Sequence, residues 1–189
     1  MIEELKKDKT MKKQTFWPEV SRYGAIVGGV EVLFLLLGAL FYGKSALTML
    51  FSVLHVAIFV TLIYLFTKRR SVLYGADGYT FGDGMKFIFF VSLLGGVLAG
   101  AYDIVARNWL FPGLYREMAD TMLTAMAQAK LPTSQLVEVK ESLNKTLFSP
   151  IYVVGSDVLG LGLRGLFFGL FIAAFTRREV NIFEQSDSE

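Results

Sequence analysis

Six residues combine charge or proton-exchange capacity with a place inside an apolar run, and they define the chemistry open to this chain. Glu31, His55 and Arg164 each fall near the centre of a hydrophobic stretch long enough to cross a bilayer. Counted at about 1.5 Å per residue, all three can reach one level. Asp103 and Arg107 lie four residues apart on another such stretch, hence on one helix face, and Asp157 enters the last stretch from its outer end at a similar depth. The spacing predicts an inner cluster, Glu31, His55 and Arg164, and an outer one, Asp103, Arg107 and Asp157. An arginine in mid-span costs about 2.5 kcal/mol or more unless it faces protein or water and has a partner. Glu31 is the best partner by depth, and Asp157 lies about 10 Å further out on the arginine's own helix. Two readings stay open. In the first, which is preferred, the clusters are structural, with Glu31 and Arg164 as a neutralising pair holding helices together. In the second they form a proton or ion relay, or a polar cavity for a headgroup.

Other chemistries find no support in the residues. The chain has no cysteine, which excludes disulfides, thiol catalysis and cysteine metal sites, and its single histidine excludes a histidine-rich metal centre. No Ser/His/Asp set and no metal-ligand spacing is present. The glycines of GADGYTFGDG lack the GxxxxGK[ST] spacing, a preceding buried strand and the Rossmann pattern, so they read as a turn-rich loop rather than a phosphate cradle. No catalytic residue, cofactor or metal is expected. Lys and Arg gather at the ends of spans rather than in a groove with interleaved aromatics, and nucleic acid is not an expected partner.

The elements that must position these residues are helices in a membrane. With 189 residues, 53% of them hydrophobic and only 19% charged, and a mean hydropathy of +0.49, the chain is too apolar for an ordinary soluble domain and too short for two. The expected fold is all-α and polytopic, with spans at about 22–42, 46–66, 84–107 and 151–176 in a domain covering 16–178, between tails at 1–15 and 179–189. Phe16 and Trp17 suit the headgroup level and Pro18 the first turn of a helix. The first span reads as a retained signal anchor. The link Gly43 to Ser45 is long enough only for a hairpin. Gly24 and Gly28, Gly96 and Gly100, and Gly165 and Gly169 form GxxxG pairs that let backbones approach, with packing inside the chain preferred over a homodimer. The second span has no glycine, so it should lie at the periphery and show Phe51, Phe59 and Leu62 to lipid.

The largest piece outside the spans is the segment 108–150, read as a helical hairpin. Leu114, Met118, Met122, Ala125, Met126 and Ala129 fall at helical spacing, off the stripe of Arg116, Glu117 and Asp120, and a second helix after Thr133 or Ser134 carries Leu136, Val139, Leu143 and Leu147 on one face. The preferred expectation is that the two stripes pack on each other and on the rim of the bundle. The alternative is that Met118, Met122 and Met126 form an adaptable face for a partner or for lipid. Twelve Lys and Arg residues flank the spans on the side of the N-terminus against six on the other, which places both termini in the cytoplasm.

The segments FWPEVSRYGAIVGG before and into the first span, YTFGDGMKFIFFVSLLGGVLAG at the third, the Met/Glu hairpin and a glycine-rich last span ending in FTRRE together resemble an uncharacterised family of small four-span bacterial inner-membrane proteins, a domain of unknown function. The likeness covers residues 14–178. It implies four spans and a bacterial inner membrane, and supplies no catalytic residue. It also carries a loose association with neighbouring membrane glycosyltransferases, which implies an accessory role.

Three function classes follow. A non-enzymatic accessory or scaffold subunit of a membrane complex is preferred, because no site for chemistry is visible. A small transporter or ion-conducting protein would use Glu31, His55 and Arg164, without an internal repeat or broken-helix pair to support it. A lipid-surface enzyme would rest on Asp103 and Asp157 as paired carboxylates.

Overall fold

The computed structural model describes residues 2–74, 78–129 and 132–179, with residues 2–14, 45 and 144 described through the backbone alone. Within them the chain folds as α1 (Ile2–Leu40), α2 (Ser45–Leu73), α3 (Phe81–Val105), α4 (Pro112–Gln128), α5 (Thr133–Thr146) and α6 (Pro150–Thr176), with a π-helical turn, Ala106–Leu110, closing α3. Four segments are long and apolar enough to span a bilayer: Thr15–Leu40, Ala46–Leu73, Phe81–Leu110 and Pro150–Thr176. The fold is all-α and the protein is an integral membrane protein. The turn at Gly75 and Asp77, the break at Lys130 and Leu131, and the tail after Glu179 fall outside the described residues.

Helix ends differ from the hydropathy limits for local reasons. The backbone of α1 is helical from Ile2 and continues through Pro18, so this proline is interior rather than in a first turn. Hydropathy marks where a helix enters lipid, whereas the Glu- and Lys-rich segment ahead of it is made of good helix formers. Thr80 caps α3: its hydroxyl accepts from the Asp83 N–H at 3.1 Å while the Asp83 carboxylate accepts from the Thr80 N–H at 3.1 Å. The helix therefore starts before Gly82 and Gly84, which the loop reading had placed in a turn. Gly43, at φ 83°, makes the tight α1–α2 turn.

α3 is the central helix, packed most extensively on α6 and α1. Glycine makes this possible. A Cβ added at Gly96 would stand 2.7 Å from the Val158 Cα and 2.9 Å from the Asp157 carbonyl oxygen, and one at Gly28 would stand 3.0 Å from the Gly95 carbonyl oxygen. Gly100 faces Val154 in the same way, and Gly165 faces Ser92. The backbones of α1 and α6 thus each approach α3 closely along separate seams, where dispersion and short interhelical contacts replace the hydrophobic drive that lipid removes. α2 is the least enclosed span, but Phe59 is fully buried, Phe51 and Leu62 are half-buried, and Phe59 and Ile63 belong to the core with Val27, Phe87, Val91 and Leu161. The expected lipid face is therefore misplaced: Leu50, Val53 and Leu54 are among its exposed residues.

One end of the bundle is tied by polar contacts. Arg70 is ion-paired with Glu19 and lies over the rings of Phe16, Tyr74 and Phe87. The Ser71 hydroxyl donates to the Thr176 carbonyl at 2.5 Å, and Tyr79 pairs with Arg178 through two backbone hydrogen bonds. The membrane-entering end of α1 and the C-terminal end of α6 therefore lie on the same side.

Candidate functional site

The inner site is built by one residue from each of three spans. Glu31 faces inward from α1 and is 5% exposed. His55 comes from the open helix α2, its ring stacked on Phe34 at 4.7 Å between centroids. Arg164 extends from α6 over the Phe59 ring, with 5.6 Å from its guanidinium carbon to the centroid. Glu31 Oε2 is 2.7 Å from His55 Nε2, and Arg164 Nη1 donates to Glu31 Oε1 at 3.2 Å. A 2.7 Å approach of imidazole nitrogen to carboxylate needs a proton between them, so Nε2 is the donor. The 3.4 Å contact of Arg164 Nη1 with the same Nε2 then joins two donors and is not a hydrogen bond. Among the described residues Arg164 has one protein acceptor, Glu31, for its five N–H groups, and 32% of its side chain is exposed.

The arrangement has a definite chemical content. Glu31 cancels the charge of Arg164, and the carboxylate is held by two donors from two other helices. No group of three or more metal-ligating side chains occurs among the described residues.

The outer site is anchored on the Asp103–Arg107 pair. Asp103, fully buried, accepts from Arg107 Nε at 2.8 Å, lies 2.5 Å from Arg107 Nη2, and accepts from the Tyr115 hydroxyl at 2.8 Å. Arg107 also donates to the Leu147 carbonyl at 3.3 Å and lies over the Tyr115 ring. Asp157 makes no hydrogen bond to these groups, although its carboxyl lies within electrostatic reach of Asp103 and Arg107. Its backbone packs on Gly96, seven residues and about 10 Å inward of Asp103 along α3, and its Oδ2 is buried without a hydrogen-bond partner. The register set by Gly96 and Gly100 seats Val154 on Gly100 and the Asp157 backbone on Gly96. Tyr115 and the Leu147 carbonyl, absent from the sequence reading, complete the contacts of Asp103 and Arg107. Burial, and then the bond to Asp103, push the Tyr115 hydroxyl well above the ordinary tyrosine range, so it remains a donor.

The methionine face also departs from expectation. Leu136, Val139, Leu143 and Leu147 of α5 are half-buried, and so are Leu114, Ala119, Leu123 and Met126 of α4, but Met118 and Met122 are 42% and 47% exposed and no α4 residue is buried. The stripe does not close on α5 or on the bundle rim.

A family profile described as protein of unknown function (DUF4199) matches residues 22–178. The chain belongs to this family. No curated protein and no solved structure matches the chain. The DUF4199 match takes in all four spans and both polar clusters, so the geometry above lies within the family region. Its description names no activity, and the argument for function rests on the sites.

Proposed function

We propose that this DUF4199 protein is a non-enzymatic accessory subunit of a complex in a bacterial inner membrane, with both termini in the cytoplasm, and that a helix of its partner docks beside Arg164. The observation that carries this is the guanidinium itself. It lies in mid-span, is balanced in charge by Glu31, and keeps N–H groups without a protein acceptor on a side chain that is one-third exposed. Hydrocarbon offers those groups nothing, and an unmet donor there costs several kcal/mol by order of magnitude. Because Glu31 already neutralises the arginine, the missing acceptor is a neutral oxygen, from a hydroxyl, amide or carbonyl on a neighbouring helix. Gly160, one turn before Arg164, has nothing within 4 Å of an added Cβ, so a second helix can come close. A symmetric homodimer centred here would bring two arginines together, which favours a different protein as the partner.

The same trio supports a second reading as a proton- or ion-conducting site, favoured by the Glu31–His55 contact at 2.7 Å. The close packing of α3 against α1 and against α6 weighs against a path along those two seams. The lipid-surface enzyme loses support, because both Asp103 oxygens are already engaged by Arg107 and Tyr115.

The test is recovery of native complexes in mild detergent from cells carrying the wild type or Leu163→Trp. Leu163 is exposed beside Arg164, so the bulkier ring leaves the fold intact. The expected result is loss of a discrete complex at unchanged melting temperature. A wild type recovered alone, or a complex unaffected by the tryptophan, would overturn the proposal.

A further inference from the structure

We infer that α4 is a membrane-surface helix, lying in the interfacial layer at the hairpin end of the bundle with Met118 and Met122 inserted among the lipids. Three observations carry this. The first is where α4 begins. Trp109 and Leu110, the last residues of the third span, are exposed, and only Phe111 separates them from Pro112 at the head of α4. Tryptophan favours the headgroup level, so α4 starts at the membrane surface.

The second is direction. Were α4 to continue the axis of α3, Tyr115 would stand about 18 Å beyond Asp103, further than the two side chains can bridge, yet its hydroxyl donates to Asp103 at 2.8 Å. The chain has to turn at Phe111. Phe111, at φ −134° and ψ 42°, breaks the helix there, and Pro112, which has no N–H, suits the first turn of a new one. The π turn, with the Phe111 N–H donating to Ala106 at 2.7 Å, absorbs the residue left over. α4 therefore leaves the α3 axis while its base stays tied to the bundle.

The third is the composition of its faces. Met118 and Met122 share one face with Leu114 and Ala125, away from Leu123, Thr124 and Ala127, which line a groove with Leu136 and Val137 of α5, and Arg116, Glu117 and Asp120 lie off that face. Apart from the π turn and α5, α4 makes no substantial packing on any helix, so its apolar face does not lie on top of the bundle. A helix that starts at the headgroups, runs off the span axis and keeps an exposed apolar face has the bilayer surface beside it. Such helices bury their apolar side about 5–10 Å into the boundary between headgroups and acyl chains. The occupant is lipid, not protein, and this holds whether or not a partner docks at Arg164.

The absence of cysteine allows a unique label. Met118→Cys, Met122→Cys and Glu117→Cys would each carry a nitroxide in the full-length protein in phosphatidylcholine liposomes, with collisions read against oxygen and against a water-soluble nickel chelate. Labels at Met118 and Met122 are expected to favour oxygen at least several-fold over the label at Glu117. Equal access to nickel at Met122 and Glu117 would overturn the inference, as would protection of Met122 from both colliders, which marks a protein contact. All three positions are exposed, so the labels do not perturb the fold.

Discussion

At the scale of single residues, Glu31 holds the centre of the molecule, because it joins α1 to both α2 and α6. Arg164→Leu leaves Glu31 with His55 alone and lowers the unfolding free energy in mixed micelles, by about 1–2 kcal/mol if interhelical polar contacts in bilayers are the guide. Glu31→Leu together with Arg164→Leu recovers much of that loss, since a buried pair is often replaceable by apolar groups. A double mutant no better than the sum of its singles would remove the coupling. Depth counting alone brought Glu31, His55 and Arg164 to one level, because three helices of similar tilt keep residues at equal depth within reach. It says less about the contacts of Asp157, whose depth depends on the register between α6 and α3. That register is fixed by which glycine meets which backbone atom, and a single sequence does not state it. Tyr115 was missed for a related reason: its partner Asp103 lies across a chain reversal, and only Pro112, one turn earlier, signals it.

Among the elements, α3 is the helix on which the others are assembled, and its glycines should tolerate no side chain. Gly96→Ala places a Cβ against α6 backbone at 2.7 Å, and overpacking of this kind costs about 1–3 kcal/mol. Gly160→Ala, which meets nothing within 4 Å, should be neutral or slightly stabilising; thermal unfolding of the two side by side decides the matter, and equal effects would contradict this account of the seam. The hairpin is held by Tyr115 through a hydroxyl that stays protonated. Its folded-state pKa is raised, so the contact's contribution to stability is fully present below the ordinary tyrosine value of about 10 and is lost as pH rises through the higher folded value. Tyr115→Phe should free the base of α4, seen as faster amide exchange from 112 to 128 with the spans unchanged; uniform exchange across the chain would contradict the clamp. The four spans were legible because about 20 apolar residues leave little else to do. Their ends were not, since caps and ion pairs set them: Thr80 with Asp83 moved α3 upstream, and Arg70 with Glu19 and Ser71 with Thr176 give the end of α2 partners beyond Phe66.

For the whole molecule, the fold puts the membrane-entering end of α1 and the end of α6 on one side and the hairpin on the other, and the orientation proposed from the Lys and Arg bias has the first side facing the cytoplasm. In intact cells an impermeant thiol reagent should label Ser134→Cys and spare Glu179→Cys, both exposed positions, and the reverse pattern would invert the orientation. Ser71 would be a poor choice, being buried against Thr176. On the proposed reading, the charge-balanced midplane trio, with a third of the Arg164 side chain exposed, is completed by a helix of another protein. The most direct test places a photoreactive phenylalanine analogue at Leu163, beside Arg164, and another at Val97 on α3, and maps the adducts formed in native membranes by mass spectrometry. The account predicts that Leu163 joins to a transmembrane segment of one other protein, near a residue with a neutral oxygen, and that Val97 does not. Adducts to lipid alone at both positions, or to a second copy of this chain at Leu163, would contradict it.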